Sequence, residues 1–343
     1  MRSFLAILLA TFLLPRLCAA QGSSEPTPSS SDELAWGPTK ILKAPGRAIG
    51  ATVHGLGKLS KPESKTPSTG LPEATGPVVF VQFQGSATSL GTIMNADLDV
   101  GYDFTPHLGG DIGLPVFLVR SPFSLVTNRN YRWTALFGDP YLDVRYTTTR
   151  AGLNITSVLT GTIPASNTLR IFTTGRFGVD WFNHVERSYG GFTPFLNIGA
   201  ANGTVDRFFM PRPYSLARPY RTLGFVSDVE GGGSYKILPS LKIGASAFAL
   251  VPAGPQKIFS RLVSPDSLLA GDGKHDRYFD SAFETIGHSG IARDNGFSGW
   301  LEVTHLRHVT VQIGYTKSTH YKVDMYTIML NFNGTPFLRG SGQ

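Results

Sequence analysis

Between Leu90 and Phe104 the chain alternates with a period of two residues. Leu90, Met94, Ala96, Leu98, Val100, Tyr102 and Phe104 hold one parity, and Gly91, Asn95, Asp97, Asp99, Gly101 and Asp103 hold the other. Successive side chains of a β-strand point to opposite faces, so this segment predicts a strand with one apolar and one carboxylate-rich face. It is longer than an average soluble strand. Two-faced segments recur over Val78–Gly85, Leu108–Val119, Leu136–Thr148, Leu153–Ile163, Arg176–Arg187 and Phe192–Ala201. They continue over Leu223–Tyr235, Leu241–Val251, Phe297–Leu306, Val309–Lys317 and Val323–Phe332, which brings the expected total to about 12 strands.

The connections carry a second pattern. Tight turns at Thr105 to His107, Arg150 to Gly152, Tyr189 to Gly191 and Leu238 to Ser240 alternate strictly with longer segments. The longer segments are Arg120–Trp133, Pro164–Thr174, Gly203–Arg221 and Ala253–Asn295. Short periplasmic turns alternating with long extracellular loops are the arrangement of a membrane barrel, and an even strand number returns both chain ends to the turn side.

The start of the chain places it outside the cytoplasm. Arg2 supplies a positive charge, Phe4–Leu14 an apolar run, and Cys18, Ala19 and Ala20 a small-residue cleavage site before Gln21, which together predict a secretory signal peptide over 1–20. Lipidation at Cys18 is disfavoured by the Pro15, Arg16 and Leu17 that precede it. No later stretch approaches the roughly 18 uninterrupted apolar residues of a spanning helix. Any membrane crossing is therefore made by strands.

Two soluble folds compete with a membrane barrel. A secreted sandwich would carry Lys, Glu and Thr on its outward faces, and a soluble ligand-binding barrel would turn its apolar faces inward. The export signal, the sorted connections and the Asp, Asn and Arg of the polar parity fit together when the apolar parity faces out. The predicted fold is thus all-β, a transmembrane antiparallel up-and-down β-barrel over 77–333. Ahead of it lies a Pro/Ser-rich periplasmic linker over 21–76, and after it a tail over 334–343. The linker is expected to be disordered or partly helical: Leu34–Leu59 mixes Trp36, Ile41, Leu42 and Ile49 with Lys40, Lys43 and Arg47, while Pro38 and Pro45 oppose a long helix. A periplasmic plug, a surface-bound helix and a flexible tether are its three readings.

Composition narrows the function classes. Cys18 is the only cysteine, so the mature chain holds neither a disulfide nor a thiolate metal site. Charged residues make up 16% of the chain, and the mean hydropathy is −0.02, as polar lumen positions dilute apolar lipid-facing ones. Loss of Arg2 and Arg16 with the signal lowers the formal charge from +7 to +5. Without a clustered basic helix or recognition motif, nucleic-acid binding is not expected.

With the apolar parity outside, the lumen receives Asn95, Asp97, Asp99, Asp103, Asp111, Asp139, Asp143, Arg145, Arg176, Asp180, His184, Glu186, Asp228, Glu230, Lys242 and Glu302. That is a mixed-charge interior with acid in excess. It suits a passive channel for small solutes that favours cations or neutral polar molecules. The alternative is a filled structural or adhesive barrel, cross-linked by Arg145, Arg176 and Lys242, that binds a partner or envelope lipid through its loops. Arg120, Arg129, Arg132, Arg207, Arg212, Arg218 and Arg221 form an expected extracellular basic rim, suited to lipid phosphates or simply to interfacial anchoring. The segment Ala253–Asn295 is long enough to enter the lumen or to cap the mouth.

No enzyme is expected. His288 and Ser289 are adjacent, a spacing that on a strand points the two side chains apart. Asp272, Asp276 and Asp280 beside His275 do not follow a calcium-loop spacing, so no metal or other cofactor is expected either. Tyr326, Ile328, Leu330 and Phe332 alternate to an aromatic near the C-terminus. This resembles the strand by which outer-membrane barrels are recognised by the barrel assembly machinery, although Asn333–Gln343 follow the aromatic here.

The runs Gly101–Pro115, Gly138–Tyr146 and Phe192–Ala200 resemble the outer-membrane transporter-type barrels grouped with meta-pathway phenol-degradation proteins. The resemblance covers roughly residues 78–332. It implies passive uptake of small solutes, aromatic or apolar ones among them, with outer-membrane lipid as the surrounding partner, and it carries over no defined binding residues.

Overall fold

The structure, a computed structural model, describes residues 75–88, 91–120, 133–165, 175–203, 218–262, 279, 283–306 and 308–338. The predicted signal peptide and nearly all of the linker lie outside the described residues, as does the end of the tail. In chain order the strands are β1 (Gly76–Thr88), β2 (Gly91–Asp103), β3 (Leu108–Arg120), β4 (Thr134–Phe137), β5 (Tyr141–Arg150), β6 (Leu153–Thr162) and β7 (Gly178–Glu186). There follow β8 (Phe192–Gly203), β9 (Tyr220–Leu238), β10 (Leu241–Ser260), β11 (Glu284–Gly287), β12 (Asp294–Leu306), β13 (Val309–Ser318) and β14 (Val323–Asn333). Twelve of them form a closed ring of antiparallel neighbours, with the short β4 attached to β3 and the short β11 to β10. The seam between the first and last strands is closed from Phe80↔Asn333 to Thr88↔Met325.

The expected strands recur with three differences. The predicted Leu136–Thr148 strand is broken into β4 and β5 at Gly138, Asp139 and Pro140, because proline cannot donate to a ladder. The strand expected to stop at Val251 runs on as β10 to Ser260 through a register shift between Ala253 and Lys257. The alternation of turns and loops is not strict: at the end of the barrel that carries the longer connections, β1 and β2 are joined by residues 89–90 and β13 and β14 by Thr319–Lys322.

The sense of the alternation is visible directly. Leu98, Val100, Ile112, Leu142, Val144, Leu159, Trp181, Ile198, Val229, Ile243, Phe297, Leu301 and Ile313 are all exposed on the outside of the wall. Gln84, Asn95, Asp97, Asp143, Thr160, Asp180, Asn197, Glu230, Ser298, Gln312 and Thr327 are buried on the inside. An apolar surface that encircles the molecule is unsustainable in water and stable in a bilayer. Its margins fit that setting. Exposed Tyr102, Phe104, Tyr146, Tyr189, Phe192 and Tyr235 gather toward the tight-turn end, as interfacial aromatics do. Near the opposite end, Lys317 and Asp324 pair on the outer face at 3.3 Å, and the Tyr315 hydroxyl donates to the same carboxylate.

At the tight-turn end the chain continues beyond the predicted terminal aromatic. The Gly334 amide donates to the Val79 carbonyl at 2.8 Å, and the Val79 amide donates to the Thr335 hydroxyl at 3.2 Å. A single helical turn over Thr335–Leu338 follows.

Because Leu98 lies midway along an outward face, Leu98→Lys should destabilise the barrel by about 2–4 kcal/mol. Reversible unfolding from lipid measures this, and no loss would place that face outside hydrocarbon.

Candidate functional site: the barrel lumen

Glycines on the inner wall give large side chains room to lie along it. Gly113 sits between Asp99 and Tyr141 in register, and a Cβ there would collide with the Tyr141 ring. The phenol lies across the glycine and donates to Asp97 Oδ2 at 2.5 Å. Trp300 lies over Gly244 in the same manner, and the Arg145 guanidinium lies against Gly109. Each glycine replaces a side chain that would otherwise project into the lumen.

Next to Tyr141 the ladder sets Asp111 opposite Asp143, Asp143 opposite Thr160, and Thr160 opposite Asp180. Arg145 is the strong counter-charge at this level. Its Nη2 donates to Asp103 Oδ1 at 2.7 Å and its Nη1 to Asp111 Oδ2 at 2.9 Å. Asp97, Asp99, Asp111, Asp143 and Asp180 are at most 5% exposed, so the inner face is closely packed here. Even so, Asp97, Asp99, Asp111 and Asp143 each keep one buried oxygen without a hydrogen-bond partner among the described residues.

The wall is asymmetric in charge. From β2 round to β9 it is acidic, while from β10 round to β1 its buried polar residues are mostly neutral: Ser246, Ser298, Gln312, Thr316, Thr327, Gln82 and Gln84. Gln84 and Gln312 also hold side-chain atoms that find no partner among the described residues. Below Arg145, toward the tight-turn end, polar side chains are linked. His184 Nδ1 lies 2.6 Å from Asn197 Oδ1, and Asn197 Nδ2 donates to Glu230 Oε2 at 2.6 Å. His184 Nε2 is 3.4 Å from Glu186, and Lys242 pairs with Glu302 at 2.9 Å.

Of the residues expected in the lumen, Asn95, Asp97, Asp99, Asp103, Asp111, Asp143, Arg145, Asp180, Asp228 and Glu230 are buried on the inner wall. Lys242 and Glu302 lie at its tight-turn end. Asp139 sits in the break between β4 and β5, where it approaches Arg221 at 3.7 Å and accepts from the Ala165 amide at 3.2 Å. Arg176 is a correction: it is exposed in the connection before β7, which begins only at Gly178 after Gly175 turns the chain with φ of 64°.

The expected basic rim also needs correction. Arg221 is 6% exposed inside the mouth and does not form part of an open rim. Arg120 ends β3 with outward parity, and Arg218 precedes β9. Arg129, Arg132, Arg207 and Arg212 lie outside the described residues. The neutral wall and Trp300 carry no charge and are absent from the expected lumen for that reason, although strand parity alone marks all of them as inward.

No protein-family model matches the chain, and no curated protein is similar enough to match. Among solved structures, it is similar to the NanC porin (8% identity, 74% of this chain and 98% of that one, TM-score 0.41). It is also similar to the KdgM porin (7%, 74% and 98%, 0.36) and to the outer membrane protein Omp33 of Acinetobacter baumannii (8%, 75% and 98%, 0.31). Overlap is low throughout, and the architecture rests on the chain's own strand pairings.

Replacing Arg145 leaves two buried carboxylates without their shared cation. Arg145→Met should cost about 3–5 kcal/mol in unfolding experiments, with part of the loss recovered in Arg145→Met/Asp111→Asn. Equal stability of all three proteins would show that the triad is solvated rather than closely held.

Proposed function

We propose that this protein is an outer-membrane channel for small solutes, with a narrow, hydrated and acid-lined lumen that favours cations. The observation that carries this reading is the set of inward polar atoms left without partners among the described residues on both walls. A filled barrel is stable when its buried polar groups satisfy one another, and each one left over costs about 1–3 kcal/mol. Carboxylates left over in a low-dielectric interior cost more. Relief by water or a passing cation requires the closely packed side chains around these atoms to part and admit it, and the acid excess from Asp97 to Glu230 then selects the sign of the ion.

The apolar belt supports a place in a lipid bilayer, and the predicted signal peptide supports the outer membrane as the destination. Tight turns then face the periplasm and the longer connections face outward. Outer-membrane lipid covers the belt, and the C-terminal strand ending at Phe332 engages the assembly machinery. The resemblance to meta-pathway phenol-degradation barrels makes small aromatic compounds the first solutes to try.

The triad at Arg145 favours the second reading, a filled barrel whose loops bind a partner or envelope lipid, because paired charges cross-link a wall. Planar bilayers separate the two. A channel conducts with a reversal potential on the cation side, and Asp97→Asn/Asp99→Asn shifts that potential toward zero. A filled barrel shows no conductance above bare lipid, and the same substitutions alter only its unfolding.

A further inference from the structure

The mouth at the long-loop end is built differently from the rest of the wall. The last register pair between β8 and β9 is Gly203↔Leu223, and the pairing of β10 with β12 ends at Leu250↔Asp294. Past these points, among the described residues, β9 and β10 pair only with each other and with β11, down to Ser260↔Tyr220. A bend marks the departure. Gly224 has φ of 131° and Gly254 has φ of 72°, flanking the register shift. Gln256 Nε2 fastens the bend by donating to the Phe225 and Ala253 carbonyls, both at 3.0 Å, in space that a Cβ on Gly224 would occupy.

Beyond the bend the alternation of buried and exposed residues disappears. Tyr220, Arg221 and Thr222, like Ile258, Phe259, Ser260 and Arg261, are all at most 6% exposed. A hairpin rising into solvent would keep one exposed face, so burial on both faces means that this one folds over the mouth. Contacts across the ring confirm the direction. β3 and β10 stand on opposite sides of the barrel, yet the Arg261 guanidinium lies 5.1 Å from the centre of the Phe117 ring on β3. Arg221 reaches Asp139 beside β5. Behind this strut the ring of Phe279 stacks on Tyr220 at 4.8 Å and meets Tyr321 edge-on at 5.0 Å. The Ser260 hydroxyl holds the Phe279 carbonyl at 2.6 Å.

We propose that this folded-over hairpin is the channel's constriction, with the Arg261–Phe117 strut as its narrowest element. The inference rests on the channel reading and adds where passage is limited. A solute entering from outside meets the strut before the acidic wall, so the strut restricts passage to solutes that fit beside it.

Two readouts test this. In planar bilayers, Arg261→Ala/Phe117→Ala should raise single-channel conductance several-fold. In intact cells, a cysteine placed on the inner wall by Ser298→Cys should react faster with a membrane-impermeant maleimide when the strut is removed. Phe279→Ser supplies a second variant where the double substitution fails to assemble. Wild-type conductance that neither variant changes, with labelling also unchanged, overturns the constriction while leaving the channel standing. Absence of conductance from every protein, with Ser298→Cys never labelled, removes the channel and the constriction together.

Discussion

Everything in this barrel depends on closure of the seam between β1 and β14. Hydrocarbon offers no partner for backbone amides and carbonyls, so a spanning sheet is tolerated only when no edge remains. Nine register pairs from Phe80 to Thr88 remove that edge. The tail then extends the same pairing through Gly334 and Thr335, so the seam is continued past the last aromatic of β14.

Closure with the apolar parity outside dictates the interior. Twelve strands enclose a narrow space, and every second residue must enter it. Glycine at 101, 109, 113 and 244 relieves the crowding by letting Asp111, Arg145, Tyr141 and Trp300 lie flat along the wall. The same crowding brings carboxylates together on one side. Asp111, Asp143 and Asp180 are thereby set along neighbouring strands, with only Thr160 between the last two.

The barrel was legible because a strand has a fixed period and a single face must meet lipid. Asp97, Asp143 and Glu230 could be assigned inward from parity alone. Parity failed where the physical rule behind it lapsed. Arg176 precedes the first strand residue, so counting back from β7 carried no meaning there. Gly138 to Pro140 interrupt a ladder that the apolar count treated as continuous. From Ala253 to Ser260 a bulge shifts the register and both faces are buried, which erases the two-residue signal. Arg221 was assigned to an open rim for the same reason, since a segment folded across a mouth looks like a loop in sequence.

The central claim is that the apolar parity faces lipid and the polar parity faces the lumen. Tryptophan reports on it most directly, because Trp181 is 53% exposed on the outer face of β7 and Trp300 is 9% exposed on the inner face of β12. Variants with Trp36 and Trp133 replaced and only one of Trp181 and Trp300 retained would be reconstituted in vesicles with brominated acyl chains, and their fluorescence compared with that in unbrominated lipid. Strong quenching of Trp181 with little quenching of Trp300 is the predicted result. Equal quenching, or quenching of Trp300 alone, would contradict the orientation of the wall.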